Sequence, residues 1–186
     1  MEVPAAVSRL LRPLPELHGD ALRLEWRSGL RVYRGRLHEG EGAGQPVHAA
    51  SYPRSRRLVV DEELRSNGPE LARIVAHELF HFVWVRLGNQ ERHEWEALVL
   101  SEIEAGARGE LGWSAEWRKS RLSPADRERR SRRWREYLCE SFCDTAAWNY
   151  SFLTEHEEFT LKERFRRRRR AWIAALERHH RGGFRV

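Results

Sequence analysis

Two hydrophobic rhythms divide the chain. Up to about residue 66, apolar and polar positions alternate in short runs. Ala21–Trp26 alternates, Ser28-Gly29 reads as a turn, and Leu30–Tyr33 resumes the pattern. Pro46–Tyr52 and Arg57–Asp61 read as two further strands joined by a turn at Pro53–Ser55, with a glycine-rich loop at Gly40–Gly44. A period of two suits strands that bury one face. Ahead of them, residues 4–12 predict a short helix ended by Pro13 and Pro15.

After residue 66 the pattern becomes helical. Ser66–Glu70 offers a cap, a proline in the first turn and an early acid, and Gly88-Asn89 offers a stop. These bounds predict a buried helix over 69–87. A second helix is expected over 91–108, interrupted at Gly109–Ser114, with a further turn at Ala115–Lys119. Ser123-Pro124 opens a long helix over 124–149, whose inner stripe is Trp134, Leu138, Ser141, Phe142, Thr145 and Trp148. Thr160–Glu163 has the form of a capping box and predicts a last helix to about His180. The layout is α+β: a small N-terminal mixed or antiparallel sheet packed on the 69–87 helix, then a mostly helical C-terminal half. One domain is expected over 1–186, strand-rich over 15–66 and helical over 67–182.

Chemistry concentrates in the 69–87 helix, where His77-Glu78-Leu79-Phe80-His81 spells H-E-x-x-H. On a helix the two histidines lie one turn apart on one face, able to hold a single zinc ion. Glu78 stands beside the first of them, where a carboxylate can take a proton from a water on the metal. Two imidazoles and a carboxylate on an apolar helix are costly to bury without a metal or a partner. A catalytic zinc needs a third protein ligand and one open position. The best candidate is Glu140 in Tyr137-Leu138-Cys139-Glu140-Ser141-Phe142-Cys143-Asp144. Glu140 and Asp144 are one turn apart at the border of the long helix's apolar stripe. Asp144 there can accept the spare N–H of a ligating histidine and fix its tautomer. Rival ligands are His93, Glu94, Glu96, Glu102 and Glu104 on the second helix. Cys139 and Cys143 permit a closed thiol site but read as small packing residues.

His77, Glu78, His81, Glu140 and Asp144 together resemble the H-E-x-x-H … E-x-x-x-D pattern of the gluzincin metallopeptidases, the thermolysin-like branch of the zincins. Leu58–Asp61 is similar to the strand that precedes the zincin helix. The interval from His81 to Glu140 is longer than in thermolysin-like enzymes. The metzincin pattern does not fit, because it asks for Gly at 84 and His at 87, where this chain has Trp84 and Leu87. The resemblance implies a zincin-like fold, one zinc per chain on His77, His81 and Glu140, Glu78 as the base, and hydrolysis of peptide bonds. It also implies a His or Tyr that donates to the developing oxyanion, for which His156, Tyr150 and Tyr137 are candidates by position. His48 is a further residue that can face the cleft. The alternative function is a non-catalytic or regulatory zinc module acting on a protein or nucleic-acid partner.

Composition narrows the partners. The net charge is +6, but 28 acids are interspersed with 34 bases, which reads as a highly charged solvated surface. Nucleic acid is therefore permitted as a partner but not favoured over a peptide or protein substrate, and Arg166–Arg170 reads as the basic face of an amphipathic helix. No apolar run reaches the ~18 residues of a membrane span, so no membrane is expected as a partner. The first residues lack the basic and apolar segments of a secretory signal, and two cysteines imply free thiols in a reducing compartment. Both point to the cytoplasm.

Overall fold

The computed structural model describes residues 14–186; the helix expected over 4–12 lies outside them. Among the described residues are three small sheets and six α-helices. The eight strands are β1 (Glu16–His18), β2 (Arg23–Arg27), β3 (Arg31–Tyr33), β4 (Arg36–His38), β5 (Gln45–Pro46), β6 (Ala49–Tyr52), β7 (Arg57–Asp61) and β8 (Gly183–Arg185). The helices are α1 (Gly68–Trp84), α2 (Asn89–Glu104), α3 (Trp113–Lys119), α4 (Pro124–Glu128), α5 (Arg132–Tyr150) and α6 (Glu163–His179).

The strands next to α1 form the sheet β2-β7-β6. β7 is central and buried along Leu58, Val59 and Val60; β2 runs parallel to it and β6 antiparallel. β6 is thus an edge strand, and it packs against α1. β3, β4 and β5 form a separate antiparallel sheet. Asp61 joins the two sheets: one carboxylate oxygen accepts from Leu30 N at 2.7 Å and the other from Glu63 N at 3.0 Å. The last helix ends at His179, about where the pattern puts it, and a strand follows it. β8 pairs in parallel with β1 and delivers Phe184, fully buried, onto Phe80 of α1 at 5.7 Å.

α1 starts where its sequence says: the Asn67 side chain accepts from Glu70 N, with Pro69 in the first turn. The expected helix over 124–149 is instead two. Arg130 takes a left-handed conformation (φ 45°), and Ser131 starts a new helix by accepting from Trp134 N at 3.3 Å. The hydroxyl of Ser131 also donates to Asp126 at 2.7 Å, so the corner between α4 and α5 is fixed by side chains. The box at Thr160–Glu163 does not form either. Lys162 is the cap residue of α6, and the Thr160 hydroxyl donates to Glu116 at 2.8 Å.

The core gathers around the α1–α5 contact, where Phe80 meets Phe142 at 5.7 Å and stacks on Tyr150 at 5.2 Å. A polar cluster is buried nearby. Arg169 of α6 lies among the core residues with no exposed surface and donates to Glu102 at 2.9 Å and Glu110 at 2.7 Å. Glu110 also accepts from Lys119 at 2.8 Å and from the Tyr137 hydroxyl at 2.6 Å. Burial opposes the charge on Glu110, but Arg169 and Lys119 outweigh it and hold the carboxyl below its usual range. The run Arg166–Arg170 is therefore not simply a solvated face. Arg169 faces inward, Arg166 donates to the carbonyls of Leu161 and Phe159, and Arg170 covers the ring of Trp148. Arg169→Met would leave Glu102 buried without its partner and strip Glu110 of one. We expect a loss of about 3–5 kcal/mol in urea denaturation, since removing one member of a buried ion pair costs that much.

Candidate metal centre

Helix geometry puts His77 and His81 one turn apart on α1, and both rings turn toward α5. Their Nε2 atoms lie 3.2 Å apart. Glu140 of α5 brings Oε2 to 3.3 Å from His77 Nε2 and 3.8 Å from His81 Nε2. A tetrahedral ion held ~2.0–2.2 Å from each donor sets neighbouring donors about 3.4 Å apart. The three observed separations bracket that value. The donor types suit a metal of intermediate hardness, two imidazoles and one carboxylate.

Each donor is held from behind. His77 donates through Nδ1 to Asp144 Oδ1 at 2.7 Å, which leaves Nε2 as the ring nitrogen that could meet a metal. The other oxygen of Asp144 accepts from Ala115 N, in the first turn of α3, at 2.9 Å. Glu140 offers only one oxygen to the histidines, because Arg118 of α3 donates to Oε1 at 2.9 Å. His81 is backed differently: its Nδ1 faces Cys139 Sγ at 3.4 Å and Cys143 Sγ at 3.5 Å. The cysteines pack into the core as their sequence context implies, and their sulfurs also stand behind the second imidazole.

Burial alone would discharge His77. The Asp144 carboxylate outweighs it and, with Glu140, raises the ring well above its ordinary value. His81 is likewise lifted, from 6.5 to about 9, as the attraction of Cys139, Glu140 and Glu78 exceeds the cost of burial. Glu140 is held at about 2: burial pushes its carboxyl up, and His77, His81 and Arg118 more than reverse that. Cys139 is lowered to about 6, first by its bond with Cys143 and then, against burial, by His81.

The site opens on a cleft of ≈350 Å³ lined by His77, Glu78, Asp144, Trp113 and the segment Gln45–Ala49 that leads into β6. Glu78 is a neighbour of the paired histidines, one carboxylate oxygen lying within 4.8 Å of their ring nitrogens. Arg73 and Glu158 also line the cleft, but they are bonded to each other at 2.8 Å, and Arg73 also grips Glu70.

The three residues considered for oxyanion stabilisation are not brought to it. Tyr137 is fully buried with its hydroxyl on Glu110, and Tyr150 is stacked on Phe80 with its hydroxyl on Glu177. The aromatic stripe of α5 claims both rings for the core. His156 stands 3.4 Å from Glu70 in a neighbouring hollow. His48 lines both hollows. The rival acids on α2 are engaged elsewhere: Glu96 with Trp134 and Arg130, Glu102 with Arg169.

Gly112 is a site residue with no motif to mark it. A Cβ there would lie 2.3 Å from Cγ of Asp144, so only glycine lets the start of α3 close over that carboxylate. Gly112→Ala is expected to push Asp144 off His77 and to lower stability by about 1–3 kcal/mol, the usual cost of overpacking. Thermal melts and the His77 imidazole resonances check it.

The protonated imidazoles also set a pH window for the chelated protein. Their folded values lie above the ordinary 6.5, so their contribution is complete below that and is lost as pH rises through about 9 for His81. Glu140 acts in the opposite sense: its contribution is complete above the ordinary 4.5 and is lost as pH falls toward 2. Cys139, lowered to about 6, gains stability over the window in which His81 loses it, so the net fall rests on His77. Metal-free protein should melt at falling temperature from pH 6.5 to 9, and a rising profile there would contradict this electrostatic picture.

No family model matches this chain, nor does any curated protein or solved structure.

Proposed function

We propose that the chain is a zinc-dependent peptidase whose metal is held by His77, His81 and Glu140. The observation that carries this reading is the convergence of His77 Nε2, His81 Nε2 and Glu140 Oε2 at 3.2, 3.3 and 3.8 Å, with Glu78 beside the histidines and lining the cleft together with His77. Zinc bound there supplies Lewis acidity toward a carbonyl and an attacking water.

The chain's own residues do the rest. Glu78 takes the proton of the attacking water and passes it to the leaving amine. Asp144 fixes the tautomer of His77, and Arg118 restrains Glu140 to a single ligating oxygen. The free edge of β6 offers backbone groups to an extended peptide, which would lie along the cleft as an added strand. Trp113, exposed at the lip and stacked with Trp117 at 5.9 Å, gives apolar surface for a substrate side chain. A peptide substrate fits this edge-strand groove better than nucleic acid does. The basic side chain that lines it, Arg73, is already paired with Glu70 and Glu158.

Metal analysis and hydrolysis of an unfolded protein test the reading together. Wild type is expected to hold about one zinc per chain, and His77→Ala and Glu140→Ala to lose most of it. Glu78→Gln should keep the metal and lose hydrolysis by roughly 10²–10⁴-fold, the usual contribution of a general base. Undiminished cleavage by Glu78→Gln would sink the mechanism. Zinc without cleavage in the wild type would instead favour a metal module that does not turn over.

A further inference from the structure

On the far side of His81 from Glu140, a second set of donors converges. Nδ1 of His81 lies 3.4 Å from Cys139 Sγ and 3.5 Å from Cys143 Sγ, and the three atoms lie within 4.8 Å of one another. Both cysteines are free thiols, one turn apart on α5. A three-coordinate ion ~2.3 Å from sulfur and ~2.0 Å from an imidazole nitrogen sets those two atoms about 3.7 Å apart. The observed nitrogen–sulfur separations of 3.4 and 3.5 Å fall just short of that length.

We propose that Cys139, Cys143 and Nδ1 of His81 form a second metal site, selective for a soft, thiophilic ion of the copper(I) type. Two of its three donors are sulfur, which favours soft ions over the harder ones that accept carboxylate. Zinc in so closed a pocket would ask for a fourth protein donor, because water has little access to complete its shell as it does at an open catalytic site. The nearest carboxylate, Glu140, is turned away onto Arg118 and the Nε2 side of the histidines. Cys143 is fully buried and Cys139 partly so, which shields a three-coordinate ion from water. As the ion binds, the thiol protons leave to solvent and the sulfurs ligate as thiolates. The set differs from that of the proposed zinc site in two of its three residues and in the ring nitrogen it uses, so it does not depend on the peptidase reading.

The test uses the whole protein without oxygen, metal-free, titrated against copper(I) held by a coloured chelator. Wild type is expected to withdraw about one copper per chain and to develop ultraviolet thiolate-to-copper absorption. Cys139→Ser and Cys143→Ser, with circular dichroism to show that they fold, should each bind at least ~10²-fold more weakly. His77→Ala, which damages the zinc set and spares this one, should take copper as wild type does. Failure of wild type to take copper from the chelator would overturn the proposal. So would copper binding that survives both serine variants together, or that is lost in His77→Ala alone, since the ion would then sit among the histidines and Glu140. Zinc uptake is read separately by metal analysis, so a failed zinc site leaves this result standing.

Discussion

The candidate metal centre depends on the face that α1 shares with α5. That contact is apolar at Phe80, Phe142 and Tyr150 and ionisable at His77, His81, Glu140 and Asp144. Stacked rings hold the helices together, and the ionisable groups beside them are largely buried. Buried charges of this kind are tolerated only when they are paired. Here the imidazoles and carboxylates satisfy one another, and the same convergence leaves ligand atoms aimed at one point.

The short helix α3 is the part that makes the arrangement rigid. Its first turn donates a backbone N–H to Asp144, and one turn later Arg118 reaches Glu140. Both acids of α5 are therefore clamped from the side opposite α1. Gly112 permits this because it lets the backbone approach within a distance that any side chain would block. The two histidines then differ in character although their spacing makes them look equivalent. One is backed by a carboxylate and the other by two sulfurs.

The arginines show how a composition can mislead. A run of five in α6 looks like a surface patch, yet one member is among the most buried residues of the protein and joins α6 to Glu102 and Glu110. Excess positive charge is partly consumed inside, where it neutralises acids that the core could not otherwise hold. Tyr137 is drawn into the same cluster, which removes it from the cleft.

The sequence by itself determined what rests on local spacing. The start of α1 within Ser66–Glu70, the strand at Arg57–Asp61, the part of the expected 46–52 strand that β6 keeps while Pro46 goes to β5 in another sheet, the pairing of His77 with His81 on one helical face and of Glu140 with Asp144 on another all follow from periods of two and 3.6 residues and from capping chemistry. The tertiary structure decided what depends on distant contacts. It broke the 124–149 segment at Arg130, turned the last residues into a strand beside β1, sent Tyr137 and Tyr150 into the core, and put Arg118, Gly112 and the two thiols around the histidines. Those outcomes arise from close packing and from the need to pair buried polar groups across long stretches of chain. No window of neighbouring residues carries that information.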